Sequence, residues 1–161
     1  MFSFNTKNFE FFSYDFNNEM ETSFLKELIN DESTNKYIKN INALINKEGY
    51  NPLRNAYLVG KDNEIVGYIN LYEKLNIIDI DIAVGPRFRG IKNNSNETIG
   101  CQILKDVSEY LFDNYIFIRY LRAMIAKSNN RSIKTVTNAG FKYIDSYSEG
   151  EEYRKYPNKR L

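Results

Sequence analysis

Short apolar runs and longer segments of helical periodicity follow one another along the chain, and their order sets the expectation for the fold. Asn8 to Tyr14 reads as a first strand. Glu19 to Asn30 places Met20, Phe24, Leu25 and Leu28 at the spacing of one helix face. Lys36 to Lys47 does the same with Tyr37, Ile38, Ile41, Leu44 and Ile45, and Gly49 stops it. Asn55 to Gly60 and Glu64 to Leu71 flank Lys61-Asp62-Asn63 as a hairpin, and a strand from Ile77 to Val84 extends the meander. After a loop from Gly85 to Asn96, a helix is expected over Glu97 to Phe112, capped from Asn94 or Ser95 and buried along Ile99, Ile103, Leu104, Val107, Leu111 and Phe112. Phe117 to Ala126 reads as a strand and Asn129 to Ala139 as a short helix ended by Gly140. Lys142 to Tyr147 and Glu152 to Tyr156 read as a closing hairpin around Ser148-Glu149-Gly150.

Composition narrows the function more than the fold. The 161 residues suit a single domain, with 42% hydrophobic and 27% charged residues. A net charge of +1 gives no field that would recruit nucleic acid or a membrane surface. No apolar run approaches the roughly 20 residues of a bilayer span, and the start Met1-Phe2-Ser3-Phe4-Asn5 does not read as a leader. The lone Cys101 leaves no internal disulfide or multi-cysteine metal site, and its expected role is that of a small buried residue in a cytoplasmic protein. Histidine is absent. That removes the Ser-His-Asp and Cys-His nucleophile systems and leaves proton chemistry to Asp, Glu, Tyr, Lys, Cys or water.

The densest signal lies between Ile77 and Phe141. A strand ends in Val84-Gly85-Pro86-Arg87-Phe88-Arg89-Gly90, a helix follows, then a second strand, and last Asn129-Asn130-Arg131-Ser132 with Gly140-Phe141. A strand feeding a loop at a helix N-terminus collects main-chain N–H groups that lack internal partners, where the helix dipole also favours an anion. Val84 to Gly90, Thr98-Ile99-Gly100-Cys101-Gln102-Ile103-Leu104 and Asn129 to Ser132 together resemble the cofactor segments of the GCN5-related N-acetyltransferases, in the style of the ribosomal-protein type. The resemblance covers about Ala56 to Tyr147 and treats 1–161 as one acetyltransferase domain with its cofactor segment at about 77–141.

The resemblance implies an α+β fold. Its mixed, mostly antiparallel sheet has six to seven strands with about four helices, and it splays between the fourth and fifth strands to admit acetyl-CoA. Carried over residue by residue, Ala83 and Val84 are the strand positions, Arg89, Gly90, Thr98, Ile99 and Gly100 the loop and helix start, and Asn129 the asparagine that reaches the ligand through its amide. It implies acetyl-CoA as co-substrate without a metal, a small-molecule or peptide amine as acceptor, no nucleic-acid or membrane partner, and a monomer or homodimer.

The chain departs from the family pattern in two places. Ile91 to Glu97 separate Arg89-Gly90 from Thr98 where one residue is usual, an insert that could wrap a pyrophosphate or block its site. Val136 stands where many relatives carry a tyrosine that protonates the departing thiolate. Asp79 and Asp81 alternate with Ile78, Ile80 and Ile82, so both face one side of their strand as proton-acceptor candidates. The other reading is that they pair with Arg119, Arg122 or a lysine. The rival to an enzyme is a non-catalytic module of the same fold that senses acyl-CoA or binds a partner.

Overall fold

In a computed structural model, residues 3–38, 41 and 56–158 are described. The strands are β1 (Phe4–Asn5), β2 (Glu10–Phe12), β3 (Ala56–Lys61), β4 (Glu64–Lys74), β5 (Ile77–Val84), β6 (Tyr120–Ile125), β7 (Lys142–Ser146) and β8 (Glu151–Lys155). The helices are α1 (Glu19–Asn30), α2 (Glu32–Tyr37), α3 (Ile99–Asn114) and α4 (Asn130–Asn138), with a 3-10 turn at Pro86–Phe88. The strands form one mixed sheet in the order β1-β2-β3-β4-β5-β6-β8-β7. Eight strands replace the expected six to seven, because the two residues of β1 pair antiparallel with β2 as Phe4↔Phe11 and Asn5↔Glu10. No described helix is long and apolar enough to cross a membrane.

The chain divides into two compact units, and β4 and β5 each pass from one into the other. The first unit takes residues 1–70 and 81–91. Its core is Tyr14 with Phe24, Leu25 and Leu28 of α1, Ile41, Ala56 and Leu58 of β3, Tyr68 of β4 and Ala83 of β5. α1 starts where the Asn18 side chain accepts from Met20 N and Glu21 N, and ends at Asp31. Asp31 is also the N-cap of α2, accepting from Thr34 N at 2.8 Å. The helix expected from Lys36 to Lys47 falls for the most part outside the described residues, and α2 precedes it.

Gly85, directly after β5, is dictated by packing. A Cβ there would lie 2.8 Å from the Phe24 ring, and Phe24 is buried in the core. Phe88, three residues on, is itself buried. The most motif-like stretch of the sequence therefore begins as a packing device.

The second unit takes residues 71–80 and 92–161. α3 buries Ile103, Leu104, Val107 and Leu111 along one stripe, and β6 buries Leu121, Ala123 and Ile125 on alternate positions. β5 and β6 run parallel through Ile77↔Tyr120, Ile78↔Leu121 and Asp79↔Arg122. β6 pairs antiparallel with β8 from Leu121↔Lys155 to Ile125↔Glu151. The strand expected from Phe117 is shorter at its start, where Ile118 N bonds Tyr115 O in a turn. Gly140 follows α4 with φ +92° as its C′ residue.

Gly85→Ala should lower unfolding free energy by roughly 1–3 kcal/mol, because the buried Phe24 ring must shift to admit the methyl group. Urea denaturation reads this as a lower midpoint at unchanged slope.

Candidate functional site

The first unit contributes the end of β5 and the loop after it. β4 and β5 reverse through the turn at Leu75 and Asn76, and Gly85 N donates to Val66 O at 2.8 Å. Alternation along an antiparallel pair then turns the main-chain N–H and C=O of Ile82 and Val84 away from β4. On the other edge of β5, the register with β6 runs from Ile77 to Asp79. Ala83 is buried by its side chain, and Val84 is half-buried.

Arg89 is fully engaged within its own unit. Its Nε donates to Val84 O at 3.0 Å, and its Nη2 reaches Thr34 Oγ1 at 2.7 Å and Asp31 Oδ2 at 2.8 Å. The Arg89 guanidinium, which outweighs partial burial, holds the Asp31 carboxyl down at about 2. Arg89 therefore ties the loop to the corner between α1 and α2, and its own N–H donates to Pro86 O at 3.4 Å. Gly90 follows in the left-handed region at φ +77°, with open space where a Cβ would be.

The second unit contributes a helix start and an asparagine. The inserted residues close on themselves as a small exposed hairpin. Lys92 bridges to Thr98, Asn93 N donates to Glu97 O at 3.0 Å, and Asn93 Oδ1 accepts from Ser95 N and Glu97 N, each at 3.0 Å. Thr98, not Asn94 or Ser95, is the N-cap of α3, accepting from Cys101 N at 3.4 Å. That leaves the N–H groups of Ile99 and Gly100, which a helix cannot satisfy from within. Glu97 is ion-paired with Lys105 and accepts from the Cys101 thiol at 3.6 Å. Burial pushes the Cys101 thiol up, in keeping with a small buried residue at this position. Asn129 caps α4 through Oδ1, which accepts from Ser132 N at 3.3 Å, leaving its NH2 end to donate elsewhere. Val136 is buried in α4.

The two aspartates of β5 part company. Asp79, in the second unit, accepts from Arg122 Nε at 2.6 Å and Nη2 at 2.9 Å, with Lys74 Nζ at 3.2 Å. Burial raises its pKa, but the bonds and charges of Arg122 and Lys74 outweigh burial and the net direction is down. Asp79 is thus a fixed anion of low basicity. Asp81 lies in the first unit, half-buried on the same side of the strand.

One polar residue of this region escaped the sequence reading. Asn70 of β4 is fully buried, and neither atom of its side-chain amide has a hydrogen-bond partner among the described residues. Leaving such a group unmatched costs roughly 1–3 kcal/mol per orphaned atom. The available signal was a single asparagine inside the otherwise apolar run Ile65-Val66-Gly67-Tyr68-Ile69-Asn70-Leu71.

No protein-family model matches the sequence, and no curated protein matches it. Solved structures do. An acetyltransferase of the GNAT family from Bacillus anthracis superposes with a TM-score of 0.72 at 14% identity, covering 95% of this chain and 96% of that one. The Campylobacter jejuni N-acetyltransferase PseH in complex with acetyl coenzyme A gives 0.66 at 14% identity over 93% and 99% of the two chains. The aminoglycoside acetyltransferase AAC(6')-Ib in complex with coenzyme A gives 0.70 at 14% identity over 92% and 94%. The chain has the fold of the GNAT acetyltransferases.

Arg89→Met should cost roughly 1–3 kcal/mol at neutral pH, the worth of hydrogen bonds to a charged group. Asp31 has a folded pKa below its unfolded one, so this stability is present above about pH 4. It fades as pH falls toward 2, and urea midpoints of wild type and variant should converge there.

Proposed function

We propose that the chain is an N-acetyltransferase that moves an acetyl group from acetyl-CoA to a primary amine. The observation that carries this reading is the end of β5, where Ile82 and Val84 turn their main-chain groups away from β4. Within this fold, such an edge suits the amides of a pantetheine arm, which would pair with it as an added strand does. The Val84 carbonyl is already bonded to Arg89, so the Val84 N–H is the group assigned to polarise the thioester carbonyl.

Each unit offers donors of the kind a diphosphate needs. In the first unit, Gly90 offers main chain next to Arg89, and its missing side chain allows close approach. In the second, Ile99 and Gly100 offer first-turn N–H groups beyond the Thr98 cap, at the positive end of a 16-residue helix. The self-closed hairpin of the insert leaves that helix start intact. Asn129 would donate from its NH2 end. Acetyl-CoA, when bound, supplies the acetyl group as a reactive thioester, and most of the acceleration comes from holding amine and thioester together.

Asp81 is the residue assigned to take the proton from the incoming ammonium, directly or through water, while Asp79 keeps Arg122 and Lys74 in place. Ala83 joins its neighbours through its main chain. The acceptor is a small-molecule or peptide amine, and the setting of the reading is a cytoplasmic monomer or homodimer acting as one domain over 1–161.

Coenzyme A at millimolar concentration should raise the melting temperature, and absence of any rise would remove the reading. Asn129→Ser keeps the helix cap but loses the amide. It should melt as wild type does and bind coenzyme A about tenfold more weakly, a change of about 1.4 kcal/mol. Unchanged affinity would show that Asn129 only caps α4. Asp81→Asn should lower thiol release from acetyl-CoA by about 10²–10⁴-fold and abolish the rise of rate with pH. A retained pH limb would move the proton acceptor elsewhere. Stabilisation by coenzyme A with no amine-dependent release of thiol from acetyl-CoA would favour the acyl-CoA-sensing module over the enzyme.

A further inference from the structure

Where β5 and β6 begin, the second unit breaks three local rules of chain chemistry. Leu75, in the turn before β5, takes the left-handed region at φ +57°, which strains a leucine, although Asn76, of a type that tolerates it, stands next. Ile118 N and Tyr115 O close a second turn, whose central positions hold Ile116 and Phe117 where small or polar residues are usual. Asp113 lies in the last turn of α3, the end at which the helix dipole disfavours an anion, and no basic residue accompanies it. The two turns are neighbours, since Arg119 N donates to Asn76 O at 2.8 Å and Ile77 pairs with Tyr120. Broken local rules gather where a surface has a function.

Together the turns leave an apolar patch in the open. Leu75 is 90% exposed, Ile116 77%, Phe117 49% and Tyr115 41%. At roughly 200 Å² for a large apolar side chain laid bare, that comes to about 500 Å². A standard interface takes about 800 Å² from each partner, and about 65% of a homodimer interface is apolar. The patch thus supplies the apolar share of one half of a dimer. Its aromatic part is already ordered, with Tyr115 edge-on to Phe117 at 5.9 Å and to Tyr110 at 6.5 Å, which lowers the cost of burying it.

We propose that this patch is the interface with a second copy of the chain, related to the first by a two-fold axis. The charges around it select that partner. Glu73 and Asp113 offset Lys74 and Arg119, all four exposed, so the rim has no net sign to draw an anionic membrane. A mixed rim suits a self-complementary contact, in which Arg119 of each copy meets Asp113 of the other. α3 has 16 residues, so its first-turn N–H groups lie about 20 Å from this end and stay open in both copies. The dimer is independent of the transferase chemistry.

Sedimentation velocity of the full chain from about 1 to 100 μM is the test. Wild type should reach twice the chain mass of 19.0 kDa. Leu75→Asn with Ile116→Asn gives both turns residues they favour, so the variant should fold as wild type does. Its dimer dissociation constant should rise by about 100-fold, since the axis doubles each loss. Arg119→Asp and Asp113→Arg should each weaken the dimer alone, and mixing the two variants should restore it, because every facing pair is then of opposite sign.

A wild-type chain that stays at 19.0 kDa throughout overturns the proposal, and binding of that monomer to phosphatidylcholine vesicles would give the patch to a lipid surface instead. A dimer that survives the double substitution overturns it too and places the contact elsewhere. Should the double variant fail to fold, the charge-reversed pair decides, and no recovery on mixing removes the two-fold contact.

Discussion

Asp79 and Arg122 meet across the last rung of the parallel ladder, and the charges of the neighbouring strands are arranged around that contact. Arg122 is also opposite Arg154 of β8, a like-charge pair that would repel without compensation. Each guanidinium has its own carboxylate: Asp79 for Arg122, and for Arg154 the buried Glu152 at 2.5 Å. Arg154 also lies 4.4 Å from the centre of the Tyr120 ring, which suits a cation. Without Asp79, the two arginines would face one another with one carboxylate between them. Ionic pairing thus reinforces the ladder between β5 and β6 at Asp79.

A residue can belong to a ligand-binding loop and owe its identity to packing. Gly85 is small because of Phe24, Phe88 is buried, and Arg89 reaches back to Asp31 and Thr34. Side-chain identity there reports the scaffold that holds the loop.

Much of the scaffold was legible from periodicity. α1 spans the residues its apolar stripe predicts, because Asn18 caps one end and Asp31 breaks the other. β5 follows its isoleucine run. What was not legible depended on single side-chain contacts. β1 is two residues long and has no period to detect. The inserted hairpin hangs on one asparagine, Asn93, whose carboxamide gathers two N–H groups. Arg122 was one of several possible partners for Asp79, and only the strand register selects it. Asn70 read as an interruption of an apolar run, since a pattern of hydrophobic positions says nothing about whether a buried amide finds a partner.

The engagement of Arg89 bears on how binding would respond to ionic strength. A loop that held a diphosphate with a mobile guanidinium would lose affinity steeply as salt screened the pair. Here that cation is neutralised by a carboxylate of its own scaffold. Screening would therefore act on this guanidinium chiefly through the carboxylate that already holds it.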